Sequence, residues 1–109
     1  MSTQLHIEKV KTSKANDLDF NDIPLGRTFT DHMFLCTYDD GSWQTPKIVP
    51  MGPLPTHPAA MALHYGQAIF EGMKATVDAN GIPMLFRPEE NAKRLNFSAR
   101  RLGMPEFPE

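Results

Sequence analysis

Four prolines, Pro50, Pro53, Pro55 and Pro58, fall within nine residues of this 109-residue chain, and each fixes its own φ and removes a backbone donor. Neither a helix interior nor a central strand can run through such a stretch. Pro50 to Pro58 is therefore predicted to be a surface loop, with regular structure confined to either side of it.

Ahead of the loop, residues 1–28 alternate lysines, acids and isolated apolar residues without a sustained period. This predicts an extended N-terminal arm with one short strand at Leu5–Ile7. The packed part of the chain is predicted to begin at residue 29 and to run to 109. Apolar and aromatic density rises from Met33 to Tyr38, Asp39-Asp40-Gly41-Ser42 supplies turn chemistry, and Trp43 and Lys47-Ile48-Val49 follow. The pattern predicts a hairpin from Met33 to Val49.

After the loop, Pro58 can open a short alanine-rich helix (Ala59, Ala60, Ala62), and Gly66 and Gly72 bracket a second helical segment, Gln67 to Glu71. Met73–Val77 and Ile82–Phe86 are separated by Asp78-Ala79-Asn80-Gly81, in which Asn-Gly tolerates the positive φ of a tight turn, so a second hairpin is predicted. Pro83 restricts its second strand to an edge. The clearest boundaries belong to a helix from Pro88 to Leu102, with Glu89 and Glu90 complementing its dipole and Gly103 and Pro105 stopping it. Helical spacing puts Asn91, Leu95, Ser98, Ala99 and Leu102 on one packing face, with Arg94 and Arg101 on its flank. The fold class predicted is α+β, an antiparallel sheet with helices.

Hydrophobic content of 40% and charged content of 22% are ordinary globular values. A net charge of -2 offers no field for a polyanion, so nucleic acid is not an expected partner. No apolar stretch approaches the ~20 residues that span a bilayer, so no membrane partner is expected either. The opening Met1 to His6 lacks a signal peptide's apolar core, and Asp17, Asp19 and Asp22 are unlike a transit peptide. The single cysteine, Cys36, cannot close an internal disulfide. Together these point to the cytoplasm.

The four histidines and Cys36 show no metal-ligand spacing, so no metal site is predicted. Neither Ser98 nor Cys36 sits in a nucleophile motif, and no catalytic residue is assigned. The seven glycines form none of the common phosphate loops. The candidate device for phosphate is Arg94, whose stem can pack at the margin of the helix face while its fork enters a cleft. By position alone, the leading reading of Arg94 is a solvated or salt-bridged surface arginine, that of Tyr65 and Phe70 core aromatics, and that of Gly66 and Gly72 turn and cap residues.

The segment Ala62-Leu63-His64-Tyr65-Gly66-Gln67-Ala68-Ile69-Phe70-Glu71-Gly72-Met73-Lys74-Ala75 closely resembles a run in the branched-chain amino-acid aminotransferases. Further matches occur in the same order: Phe29-Thr30-Asp31-His32-Met33, Trp43 with Ile48 and Pro50, Leu85-Phe86-Arg87-Pro88, Asn91 with Arg94-Leu95, and Ser98-Ala99 with Arg101-Leu102. The likeness covers roughly Asp19 to the end, and ordered, separated motifs are more specific than any one.

The resemblance implies the small N-terminal domain of the fold type IV pyridoxal-phosphate enzymes. It implies amino-group transfer between leucine, isoleucine or valine and 2-oxoglutarate, with pyridoxal 5'-phosphate as cofactor and an amino acid and a 2-oxo acid as small-molecule partners. Arg94 corresponds to the arginine that grips the cofactor phosphate, and Tyr65, Phe70, Gly72 and Lys74 to positions around the substrate. The family pairs as homodimers and continues into a larger domain that carries the cofactor lysine. None of the lysines here lies in that lysine's motif, so the chain alone is expected to be inactive. D-amino-acid aminotransferases and aminodeoxychorismate lyases share the fold, and a non-catalytic module derived from the small domain is the alternative of a different class.

Overall fold

A computed structural model of the chain describes residues 4–108, so the first three residues of the predicted arm and Glu109 lie outside the described residues. The chain divides into two compact units, one ending at Pro55 and one beginning at Thr56.

The first unit is built on a three-stranded sheet. In it β5 (Lys47–Pro50) lies between β1 (His6–Ile7), to which it is parallel, and β2 (His32–Leu35), to which it is antiparallel. The predicted hairpin is present as two ladders, because β3 (Tyr38–Asp39) and β4 (Ser42–Trp43) pair separately at its tip. Pro46 has no N–H to continue the ladder. The break is bridged by the Gln44 N–H donating to the Thr37 carbonyl at 2.8 Å. At the tip, Asp40 and Gly41 both take positive φ, 47° and 74°, the conformation of a two-residue turn matched to strand twist. It sets Tyr38 directly opposite Trp43, and the rings meet edge to face with centroids 5.2 Å apart.

The arm is fastened by polar contacts that its sequence does not advertise. Asp31 accepts from Ser13 Oγ at 2.6 Å and from the Lys14 N–H at 3.0 Å, and His32 Nε2 accepts from the Val10 N–H at 3.0 Å. The strand within it is shorter than Leu5–Ile7, and the predicted loop starts later than Pro50. That proline is the last residue of β5, opposite His32, a position at which a strand can end without a donor.

In the second unit, α1 (Met61–Tyr65) starts three residues after Pro58 and is capped by Gly66 in the left-handed conformation. The second helical segment predicted at Gln67–Glu71 does not form. Its side chains are engaged elsewhere: Gln67 Nε2 donates to the Leu102 carbonyl at 2.9 Å, and Glu71 binds residues of the long helix. Strands β6 (Ala75–Val77) and β7 (Pro83–Leu85) form the predicted second hairpin with shorter strands. Only Gly81 takes positive φ in its turn, 78°; Asn80 does not. Asp78 organises the loop instead, its carboxylate accepting the Asn80 and Ile82 N–H groups, both at 2.8 Å.

Helix α2 (Pro88–Arg101) agrees with its predicted span to one residue. Its end is a Schellman motif: the Gly103 N–H donates to Arg100 at 3.2 Å and the Met104 N–H to Ala99 at 2.9 Å. The buried face is centred on Asn96 and Ala99, with Asn91, Leu95 and Ser98 half-buried, whereas Leu102, placed on the packing face by its spacing, is exposed. The chain beyond Gly103 turns back over the helix, and Asn96 clasps Phe107 in both directions, at 2.8 Å to its carbonyl and 2.7 Å from its N–H. That clasp rotates the covered face towards Asn96. Among the described residues Ala99 is the one buried hydrophobic side chain.

Glycine is demanded by backbone conformation at Gly81 but not at Gly72, where φ is ordinary and an added Cβ meets nothing within 4 Å. Gly81→Ala is expected to cost about 1–2 kcal/mol through left-handed strain, and Gly72→Ala less than about 0.5 kcal/mol. Urea unfolding followed by circular dichroism checks both; equal losses contradict the assignment.

Candidate functional site: a carboxylate clamp on the arginine of the long helix

The first two turns of α2 place Asn91 and Arg94 three residues apart, hence on neighbouring positions of one helix face. Glu71, the residue before Gly72, reaches both. Arg94 Nε–H donates to Glu71 Oε2 at 2.7 Å, and Arg94 Nη2 donates to Oε1, making a bidentate pair. Asn91 Nδ2 donates to the same Oε1 at 3.1 Å and to the Gly72 carbonyl at 2.8 Å, and the Gly72 N–H donates to Oε1 at 3.0 Å. One carboxylate thus collects four N–H donors from a non-helical segment and a helix.

The electrostatics follow from this geometry. Hydrogen bonding from Arg94 is the largest influence on Glu71 and lowers its carboxyl from 4.5 to about 2, overcoming the opposing effect of partial desolvation. Arg94 is raised in turn, chiefly by its hydrogen bond to Glu71. The two partners are unequally covered: the Glu71 side chain is 13% exposed, that of Arg94 63%. A guanidinium has five N–H groups, and Glu71 takes two of them. The remaining three, two on Nη1 and one on Nη2, meet no protein acceptor among the described residues.

Of the residues singled out from sequence, Gly72 and Arg94 are brought together in this network. Tyr65 ends α1 with its side chain exposed, Phe70 is 93% exposed, and Lys74 is exposed just ahead of β6. Among the described residues, none of these three hydrogen-bonds to the clamp. Sequence reasoning quoted Glu71 within its motif but gave it no role. The available signal was an acid beside a glycine, ahead of a helix carrying Asn and Arg three apart. The structural role of Asn96 had no such signal.

The first unit carries a hollow of about 500 Å³ whose apolar lining includes Leu18, Phe20, Ile23 and Phe29. Of its polar neighbours, Asp31 and His32 are already bonded to the arm, and the Thr30 hydroxyl donates to the His32 carbonyl. Among the described residues no group of three or more His, Cys, Asp or Glu is placed to hold a metal, and no helix is long and apolar enough to cross a membrane.

Comparison with known proteins yields no matching family model. Curated proteins match along nearly the whole chain. Branched-chain-amino-acid aminotransferase 2 of Bacillus subtilis is 46% identical over 106 residues, covering 96% of this chain and 29% of the relative. A probable branched-chain-amino-acid aminotransferase of Staphylococcus epidermidis is 49% identical over 107 residues, covering 94% and 30%. The branched-chain-amino-acid aminotransferase of Mycolicibacterium smegmatis is 51% identical over 85 residues, covering 77% and 23%. The chain is thus homologous to aminotransferases. It belongs to the branched-chain-amino-acid aminotransferase family, and it spans about 30% of the length of the first two of these relatives.

The depressed Glu71 carboxyl fixes a sign for pH dependence. The contribution of the clamp to stability is complete above pH 4.5 and is lost as pH falls through about 2. Urea unfolding of the wild type and of Glu71→Gln across this range is expected to show a wild-type advantage that shrinks towards the acid end. An advantage independent of pH contradicts an ionised clamp.

Proposed function

We propose that this chain works as part of a branched-chain aminotransferase, in which Arg94 grips the phosphate of pyridoxal 5'-phosphate. The observation that carries the reading is the Arg94 guanidinium, fixed along one edge by Glu71 and exposed along the other. Three N–H groups on a planar, permanently charged fork fit a phosphate dianion, which accepts charge-assisted hydrogen bonds from several directions.

The cofactor supplies the electron sink through which an amino group passes between an amino acid and a 2-oxo acid. The contributions of this chain are binding and enclosure. Phe70 and Tyr65 offer exposed aromatic surfaces for an aliphatic side chain. Gly72 has open space where a Cβ would stand, leaving room for a ligand to approach the backbone. Lys74 adds a cation on the same stretch. The cofactor lysine and the rest of the site belong, in this reading, to the length of the relatives that this chain does not span, so the chain alone does not transaminate.

The same reading accounts for the apolar surface. Large side chains such as Phe70 at 93% and Phe86 at 85% exposure suit a segment covered by a further domain and by a second subunit of a homodimer. The free thiol of Cys36 suits a reducing compartment such as the cytoplasm. The substrate class rests on the shared name of the relatives, which favours branched-chain amino acids over D-amino acids or aminodeoxychorismate.

The test joins the chain to the remaining length of the Bacillus subtilis relative. Arg94→Ala in that protein is expected to weaken pyridoxal 5'-phosphate binding about ten- to a hundred-fold, the range for one charge-assisted contact. Unchanged cofactor affinity contradicts the role given to Arg94.

A further inference from the structure

We propose that Glu71 is a positioning residue for the anion site, presetting Arg94 so that its free edge faces an incoming phosphate group. The inference rests on the reading of Arg94 as a phosphate grip, and assigns to a second residue the work of aiming it.

The geometry separates this arrangement from an ordinary surface ion pair. Such pairs join two solvated, mobile side chains and contribute little. Here the carboxylate is mostly covered, and it is anchored by two neutral donors, the Gly72 N–H at 3.0 Å and Asn91 Nδ2 at 3.1 Å, before Arg94 is considered. Glu71 is therefore fixed independently of the arginine it holds. It grips Arg94 by the Nε–Nη2 edge, which determines both the rotation of the guanidinium plane and which hydrogens remain. Those are both hydrogens of Nη1 and the second of Nη2, one from each nitrogen sharing the far edge, on a side chain that is 63% exposed.

The consequence is preorganisation. A free arginine gives up most of its rotamer freedom when it binds an anion, and a side chain ordered beforehand avoids that loss. Glu71 also places a negative charge near the phosphate, which opposes binding. The two effects have opposite signs in a Glu71→Gln variant, which removes the charge and loosens the clamp together. The direction of the change therefore identifies the dominant role. If Glu71 positions Arg94, Glu71→Gln binds phosphate more weakly despite its more positive site; if Glu71 merely neutralises Arg94, the variant binds more tightly.

The experiment titrates the full 109-residue chain with inorganic phosphate and follows nitrogen-15 signals of the Arg94 side chain and of the Gly72 and Asn91 amides. The Phe107 N–H, held by Asn96 away from the clamp, reports that the second unit remains folded. Glu71→Gln is expected to weaken binding about two- to tenfold, the range for immobilising one long side chain. Equal or tighter binding overturns the proposal. Arg94→Ala tests the underlying reading separately: loss of the phosphate response at Gly72 and Asn91 supports it, whereas an unchanged response removes the phosphate site itself, whatever Glu71 does. Should Glu71→Gln fail to fold, the wild-type Arg94 Nε–H decides the question. A single, slowly exchanging signal without phosphate supports the preset fork, and a rapidly exchanging, averaged one overturns it.

Discussion

The second unit depends on one carboxylate. Glu71 lies in a segment with no helix or strand of its own, yet four N–H groups converge on it, two from Arg94 and one each from Asn91 and Gly72. Because Asn91 and Arg94 belong to α2, the clamp ties the stretch between α1 and β6 to the one long helix. It also explains why that stretch is not helical. Coiling residues 67–71 would recover only a turn of backbone hydrogen bonds, at the expense of charge-assisted bonds that a rigid helix already presents.

What could be read from sequence divides along the range of the interactions involved. The Asp40-Gly41 turn and the boundaries of α2 were legible because their causes are local: positive φ at adjacent residues, a proline in the first turn, a glycine after the last. The hairpin over Asp78 to Ile82 was legible in place but not in mechanism, since Asp78 rather than Asn80 organises it. The covered face of α2 was displaced by a clasp between Asn96 and Phe107, eleven residues apart, and no periodicity within the helix encodes such a contact. The Ser13 and Val10 contacts that hold the arm to Asp31 and His32 were equally hidden.

The candidate site shows the same division. Arg94 was visible as a helix-flank arginine, and the role proposed for it comes from the family resemblance; the relatives, at 46–51% identity for three of them, support the family membership. Glu71 stood in the most recognisable run of the sequence without a physical reason attached, because its partners lie twenty and twenty-three residues away. Tyr65 and Phe70 lie outside the network and are exposed, so neither serves as the core aromatic that position alone suggested. With Ala99 as the one buried hydrophobic side chain among the described residues, polar clamps carry an unusual share of the local order.

The coupling between Glu71 and Arg94 is accessible to a double-mutant cycle on the stability of the second unit, using Glu71→Ala, Arg94→Ala and the pair, with urea unfolding read at the α2 helix near neutral pH. The clamp predicts strong non-additivity, the double variant losing clearly less than the sum of the single losses, because either truncation alone already abolishes the shared bonds. Additive losses, with each side chain acting independently of the other, would contradict the account.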